Sequence, residues 1–442
     1  MDSRGAAARV TTIALRATVR RIGSDGPRHP AADGDRCRVA HRRPRRSPAL
    51  VCALLGVTLL LAACGMPPAT KGAGAPKSVP TTVAPTSRSS TTTTGPRRVS
   101  GFVAQSASFV TESDGFVLGD TACAVGTCTA ILHTTDRGAE WSALSAPPTA
   151  ISAQGAGGVS ELHFADQLDG WVYGDTLWAT HDGGNTWNQL RLGGSIVAMA
   201  SGLGVAYALV QACASCSPPA DSVRLYRSAV GADAWALVPG VDLSGQPELV
   251  AEGATVFLLS GNPTEILRSS NGAPFVALTN PCPADPDSPG LGPLSMAASD
   301  PSDLAFLCSD GAAAGSSDKE VFISHDGGVS YERVPDAPFG GDAVGLAMPS
   351  PTTVLVSALS GASEIYRLAP PDTTWTTPLT FGDGGAGLHE PAFVDPTDGS
   401  LIHGSALQAL SLLSNGQSVA GLGELYLTDD AGAFWNLVSV GG

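Results

Sequence analysis

The sequence predicts an all-β fold: a seven-bladed β-propeller, four antiparallel strands per blade, after a disordered N-terminal region. Three observations predict it. Seven times after residue 130 a short apolar stretch runs into a small polar turn and then an aromatic residue: Trp141, Trp187, Trp235, Phe275, Tyr331, Trp375 and Trp435. Successive aromatics stand 46, 48, 40, 56, 44 and 60 residues apart, the period of one four-stranded blade. Helical periodicity is almost absent, and a lone blade cannot bury both of its faces, so stacking in a ring supplies the core.

Residues 1–40 are rich in Arg and Ala, lack apolar periodicity and precede an export signal, so they are expected to be disordered or a mis-assigned start. Residues 41–63 open with His-Arg-Arg-Pro-Arg-Arg, continue through an apolar stretch from Ala49 to Leu61 and end in small residues. A basic segment, a short apolar core and small residues make an export signal too short for a comfortable membrane span. The ending Leu61-Ala62-Ala63-Cys64 resembles the lipobox of bacterial lipoproteins. That resemblance implies cleavage before Cys64, lipid on its sulfur, and anchoring to the cell membrane on the extracytoplasmic side. An ordinary export signal or an uncleaved anchor helix is the alternative. Residues 64–99 are mostly Pro, Thr, Ser and Gly with five basic and no acidic side chains, a composition that cannot bury a core and is expected to form a linker.

From Cys64 onward the chain carries 13 basic and 36 acidic residues, a difference of −23. Such a surface disfavours nucleic acid and anionic lipid and favours cationic partners or divalent metal. In an oxidising compartment, six cysteines remain after the signal is lost and Cys64 is lipidated: Cys123, Cys128, Cys213, Cys216, Cys282 and Cys308. Fifteen pairings are open to six cysteines. Two pairs are local in sequence, Cys123 with Cys128 and Cys213 with Cys216, which leaves Cys282 with Cys308. A redox pair at Cys213 and Cys216 is the alternative, although no helix N-terminus or nearby cation is evident to lower a thiol pKa there.

The ring is expected over residues 100–442. Phe109 to Gly119, Phe164 to Gly174 and Phe393 to Ile402 share an Asp-Gly turn at Asp114-Gly115, Asp169-Gly170 and Asp398-Gly399, with a decayed copy at Asp303. The turn joins strand a to strand b. Strand c precedes each aromatic turn, at Ala130 to His133, Leu177 to Thr180, Val223 to Arg227, Glu265 to Arg268, Val321 to Ser324, Glu364 to Arg367 and Leu425 to Thr428. Strand d begins at the aromatic. The blades are expected near 106–144, 160–191, 196–238, 248–278, 294–335, 343–378 and 389–440. Blade seven is expected to close with its own C-terminal strand; addition of Ser100 to Val103 is the alternative.

Four c–d turns keep the pattern Ser/Thr-x-Asp-x-Gly-x-x-aromatic: Thr134 to Trp141, Thr180 to Trp187, Ser324 to Tyr331 and Thr428 to Trp435. This pattern resembles the Asp-box, or bacterial neuraminidase repeat. The Phe-x-x-x-x-Asp-Gly-Trp-x-x-Gly stretch resembles propellers related to the photosystem II stability and assembly factor. Together the likenesses span about residues 106 to 440 and imply a propeller of the Asp-box kind, with sialidases among its relatives.

Asp136, Asp182, Asp326 and Asp430 are expected to bond backbone N–H groups of their own turns while Trp141, Trp187, Tyr331 and Trp435 pack between blades. Because strands alternate in direction, both repeated signatures share one face, and the b–c and d–a loops, with every expected disulfide, occupy the other. A sialidase would need an arginine triad, a Tyr–Glu pair and an Asp acid, together with a Phe/Tyr-Arg-Ile-Pro motif, and none is visible. Other hydrolase, phosphate-loop and metal signatures are also absent. His389, Glu390 and His403 fall at neighbouring strand ends in blade seven, beside an insertion from Gly404 to Gly423, and form a candidate site for a metal or a partner.

The sequence therefore points to a lipid-anchored extracytoplasmic propeller without catalysis or cofactor, acting as a binding or assembly scaffold for envelope proteins. The alternative is a glycan-directed protein: a divergent glycosidase, with carboxylates about 5 to 10 Å apart at the ring centre, or a lectin-like module. Thiol–disulfide chemistry at Cys213 and Cys216 is a third.

Overall fold

The computed structural model describes residues 100–441 apart from 125, 213–221, 262–263, 283–292, 310–314, 383–385, 416 and 419. The expected start, export signal, Cys64 and linker, and the pair Cys213 and Cys216, lie outside the described residues.

Seven four-stranded antiparallel sheets follow one another along the chain, at 103–143, 159–190, 194–243, 248–278, 293–333, 342–381 and 388–438. They lie within a few residues of the expected blades, and every sheet is built from one contiguous stretch. In blade seven the outer strand is Asn436–Val438, so among the described residues no strand from the N-terminal side joins that sheet. The seam between blades seven and one is bridged instead by Ala104 N–H, which donates to the Gly423 carbonyl at 3.1 Å.

The period of two in each strand b decides how the ring is filled. In blade one, strand b is Gly115–Ala122; Phe116 and Leu118 turn toward blade two, and Val117 between them turns toward blade seven. All three are fully buried. The same division in each blade yields seven apolar clusters, each between two neighbouring blades. Burial is thus shared between neighbours, and no blade owns a complete core.

One element departs from the expected all-strand pattern. Within the 404–423 insertion, Ala406–Ser414 is an α-helix, capped by the Ser405 hydroxyl, which accepts from Gln408 N–H at 3.3 Å. Ala406 and Leu407 join the apolar cluster between blades one and two. Leu407 N–H donates to Gln105 Oε1 at 3.0 Å. The b–c insertion of blade seven therefore crosses the ring-closing seam and docks on blade one.

Candidate functional site

The four complete c–d turns repeat one geometry. The first-position hydroxyl lies 2.8 to 2.9 Å from an oxygen of the aspartate, in Thr134–Asp136, Thr180–Asp182, Ser324–Asp326 and Thr428–Asp430. That carboxylate oxygen accepts the N–H four residues on, from Glu140, Thr186, Ser330 and Phe434, again at 2.8 to 2.9 Å. The glycine N–H donates back to the first hydroxyl, as in Gly328 to Ser324 at 2.8 Å. These glycines are held at positive φ, +88° in Gly328, where L side chains are strained. Each carboxylate is engaged by its own turn. The hydroxyl and amide of Ser330 hold the Asp326 carboxyl well down, at about 2; hydrogen bonds from the amides of Glu140 and Thr186 lower Asp136 and Asp182 in the same sense.

Trp141 and Trp435 are buried at blade seams, and Tyr331 and Trp187 flank the seams of blades five and two. Trp187 Nε1 donates across its seam to the Ser145 carbonyl at 3.0 Å.

Several of the scarce cations are spent between blades. Arg268, at the end of strand c in blade four, donates from Nη1 to the Gly327 carbonyl in the next blade's turn at 2.6 Å. Arg367 repeats this between blades six and seven, Nε to the Ala431 carbonyl at 2.7 Å. His181 bridges Asp169 of its own blade at 2.5 Å and Asp233 of blade three at 2.9 Å. Burial works against charging that ring, but the two carboxylates outweigh it and raise its pKa. Sequence reading did not find these links, because their partners lie up to 64 residues away along the chain.

The two halves of the His389, Glu390 and His403 constellation do not meet. Leu388 is the cross-strand partner of His403, so His389, one residue on, projects from the opposite side of the sheet. His389 is exposed, with Nε2 3.3 Å from the Ala386 carbonyl. His403 is buried, stacked on Phe381 with centroids 3.8 Å apart, and has Glu424 3.9 Å away. The Glu390 side chain lies outside the described residues.

Among the described residues two disulfides are formed, Cys123–Cys128 and Cys282–Cys308. The first closes the b–c loop of blade one, beside a groove of about 460 Å³ that opens between that loop and the d–a linker. Asp120, near the end of strand b, lines it together with Thr127, Pro147, Pro148 and Ala150. It is only 5% exposed, and burial, partly offset by a hydrogen bond from Thr127, pushes its carboxyl up to about 6. Its Oδ2 meets no donor among the described residues. The signal available in the sequence was an acid ending the apolar run Phe116-Val117-Leu118-Gly119.

A separate group, Glu112, Asp395 and Asp398, brings three carboxylate oxygens within 4.8 Å of one another on the a–b turn face, with Asp398 in contact with Arg137. Among the described residues, no helix is long and apolar enough to cross a membrane.

No family model matches the chain, and no curated protein matches it. Among solved structures it is similar to YCF48 bound to D1 peptide, with a TM-score of 0.50, 15% identity, and 75% of this chain and 95% of that one covered. YCF48 from Cyanidioschyzon merolae gives a TM-score of 0.40 at 16% identity over 60% of this chain and 80% of that one. An acylaminoacyl peptidase from Pyrococcus horikoshii gives 0.47 at 7% identity over 76% and 52%. At these identities the likeness is one of fold, and the fold is a seven-bladed β-propeller.

Proposed function

We propose that this chain is a lipid-anchored, extracytoplasmic β-propeller of the Asp-box kind that binds a protein partner without catalysis. The observation that carries the reading is that each repeated carboxylate is hydrogen-bonded within its own turn. Asp136, Asp182, Asp326 and Asp430, the residues a hydrolytic centre would draw on first, are each tied by their own turn. Arg268 and Arg367, which a carboxylate clamp would need, are engaged between blades. Variation is left to the b–c and d–a loops, where the disulfides, the blade-seven insertion and the Asp120 groove are found. A propeller of similar fold bound to a peptide supports a protein partner. The anchor rests on the sequence ending at Cys64.

Affinity capture from envelope extract with the full chain, quantified by mass spectrometry against a blank resin, tests the scaffold. A reproducible protein complex is the expected result. Turnover of a fluorogenic sialoside, abolished by mutation of a carboxylate, would replace it with the glycan-directed reading. Metabolic labelling with a clickable fatty acid tests the anchor: label is expected on the native chain and absent from Cys64→Ser.

A further inference from the structure

The b–c insertion of blade seven carries an apolar stripe that the ring covers only in part. Ala406, Ala409, Leu410 and Leu413 fall at the spacing of one helix face. Burial fades along that stripe: Ala406 and Ala409 are buried, Leu410 is half-buried, and Leu413 is 53% exposed. Blade one receives the first turn, where Ala406 and Leu407 join the apolar cluster with Phe116 and Leu118, and leaves the last turn bare. The insertion is nonetheless fixed to strand a of blade one near both its ends, by Leu407 N–H on Gln105 Oε1 and by Ala104 N–H on the Gly423 carbonyl.

Two further observations say what covers the bare turn. The first is where the chain enters the ring. Ser100 lies just before strand a of blade one, Val103–Phe109, and its carbonyl accepts from Thr121 Oγ1, near the end of strand b, at 3.1 Å. That is the loop face, and Ala104, which meets Gly423, is only four residues further on. The insertion therefore projects from the face, and beside the strand, at which the chain arrives from Cys64. Thirty-six residues from there span at most about 130 Å, so an anchor on Cys64 draws the loop face rather than the turn face toward the bilayer. The second observation is charge. None of the twenty residues from Gly404 to Gly423 is charged. Exposed apolar side chains on the turn face stand among carboxylates instead, Leu168 between Asp166 and Asp169 and Val394 beside Asp395. A carboxylate resists the loss of water that contact with lipid demands, and the insertion presents none.

We propose that the helix seats its last turn, through Leu410 and Leu413, on the surface of the bilayer that holds the anchor, and so turns the loop face of the ring toward the membrane. The proposal rests on the lipid-anchor reading above. A second copy of this chain fits less well, because one helical turn falls short of the roughly 800 Å² per partner of a stable interface. The linker over residues 64–99 fits less well, because it is mostly Pro, Thr, Ser and Gly and has few apolar side chains to lay on leucine. Two leucines on a nine-residue helix bind a bilayer weakly by themselves. The anchor raises their effective concentration at the surface, so the contact orients the ring rather than recruiting it. A partner of the loop face is then met at the membrane surface.

The test places the full chain, through its own anchor, in phosphatidylcholine vesicles containing a lipid with a nitroxide on its acyl chain. A nitrobenzoxadiazole fluorophore reports from Ser414→Cys, on the bare turn, or from Phe434→Cys, exposed on the turn face, and the chain without an added cysteine supplies the background. Quenching of at least twofold is expected at Ser414→Cys and none at Phe434→Cys. Adding Leu413→Gln to Ser414→Cys, a change at an exposed position, should lower its quenching to the Phe434→Cys level. Equal quenching at the two sites, no quenching at Ser414→Cys, or quenching unchanged by Leu413→Gln would each overturn the proposal. No quenching in vesicles beside a captured envelope protein that is lost with Leu413→Gln would assign the turn to a protein instead. The same measurement on Cys64→Ser chains, held by an N-terminal histidine tag on nickel-chelating lipid, separates this reading from the anchor. Quenching there without fatty-acid label on the native chain removes the anchor alone; label without quenching removes the helix contact alone.

Discussion

Arg137 of blade one and Asp398 of blade seven form an ion pair across the seam where the ring closes. Asp398 is buried while Arg137 is partly exposed, and the guanidinium also reaches Asp429 at 3.4 Å and the Glu112 carbonyl at 3.4 Å. Among the described residues no strand is exchanged at this seam, and it is held by side chains and by single backbone bonds. Arg137→Ala, which leaves the Asp398 carboxylate buried without its partner, should destabilise the chain by about 1–3 kcal/mol. Urea denaturation of both chains measures this, and the double variant Arg137→Ala with Asp398→Asn should recover part of the loss.

The His181 bridge makes stability depend on pH in a defined direction. Its folded pKa is raised above 6.5, so its contribution is complete below that value and is lost as the pH rises through the higher folded value. Denaturation midpoints should therefore fall across this window on the alkaline side of 6.5, and His181→Gln should flatten that part of the profile. An identical slope in the variant would assign the effect elsewhere.

Asp326 runs in the opposite sense. With its folded pKa held near 2 against an ordinary 3.8, its contribution is present above 3.8 and lost as the pH falls through about 2. Calorimetric Tm between pH 4 and 2 should drop more steeply in the native chain than in Asp326→Asn, which should already melt lower at pH 7.

Lys319 is almost wholly buried, and its ammonium shares its three N–H donors among the carbonyls of Ser317, Pro338, Phe339, Gly340 and Gly341, whose oxygens lie 2.6 to 3.1 Å away. The cage pins the linker from blade five to blade six. Lys319→Met keeps the length of the side chain but strands these acceptors, and should cost about 3–5 kcal/mol in unfolding free energy with faster proteolysis at the 335–341 linker.

Local chemistry was legible in the sequence and long-range register was not. The turns at Asp136, Asp182, Asp326 and Asp430 complete their hydrogen bonds within eight residues, so spacing alone predicts the geometry. Blade three lost its aspartate pattern yet keeps the bond in altered form, with Ala234 N–H donating to Ser228 Oγ at 2.9 Å. His389 and His403 show the limit: both sit at strand ends as expected, but pairing of Leu388 with His403 puts them on opposite sides. The helix at Ala406–Ser414 was hidden for a similar reason. Nine residues make a marginal helix alone, and its docking partners on blade one lie some 300 residues earlier. Asp120 was visible as an acid ending an apolar run, but the walls that make it a groove come from a linker with no regular pattern.

That every sheet comes from one uninterrupted stretch has an evolutionary corollary. Duplicating or deleting a whole unit would leave every remaining hydrogen-bonded ladder intact and ask only the curvature of the wheel to readjust. Sequence drift inside one unit is likewise felt only by its two flanks, which fits a chain in which some units keep the full eight-residue signature and others retain little beyond the aromatic.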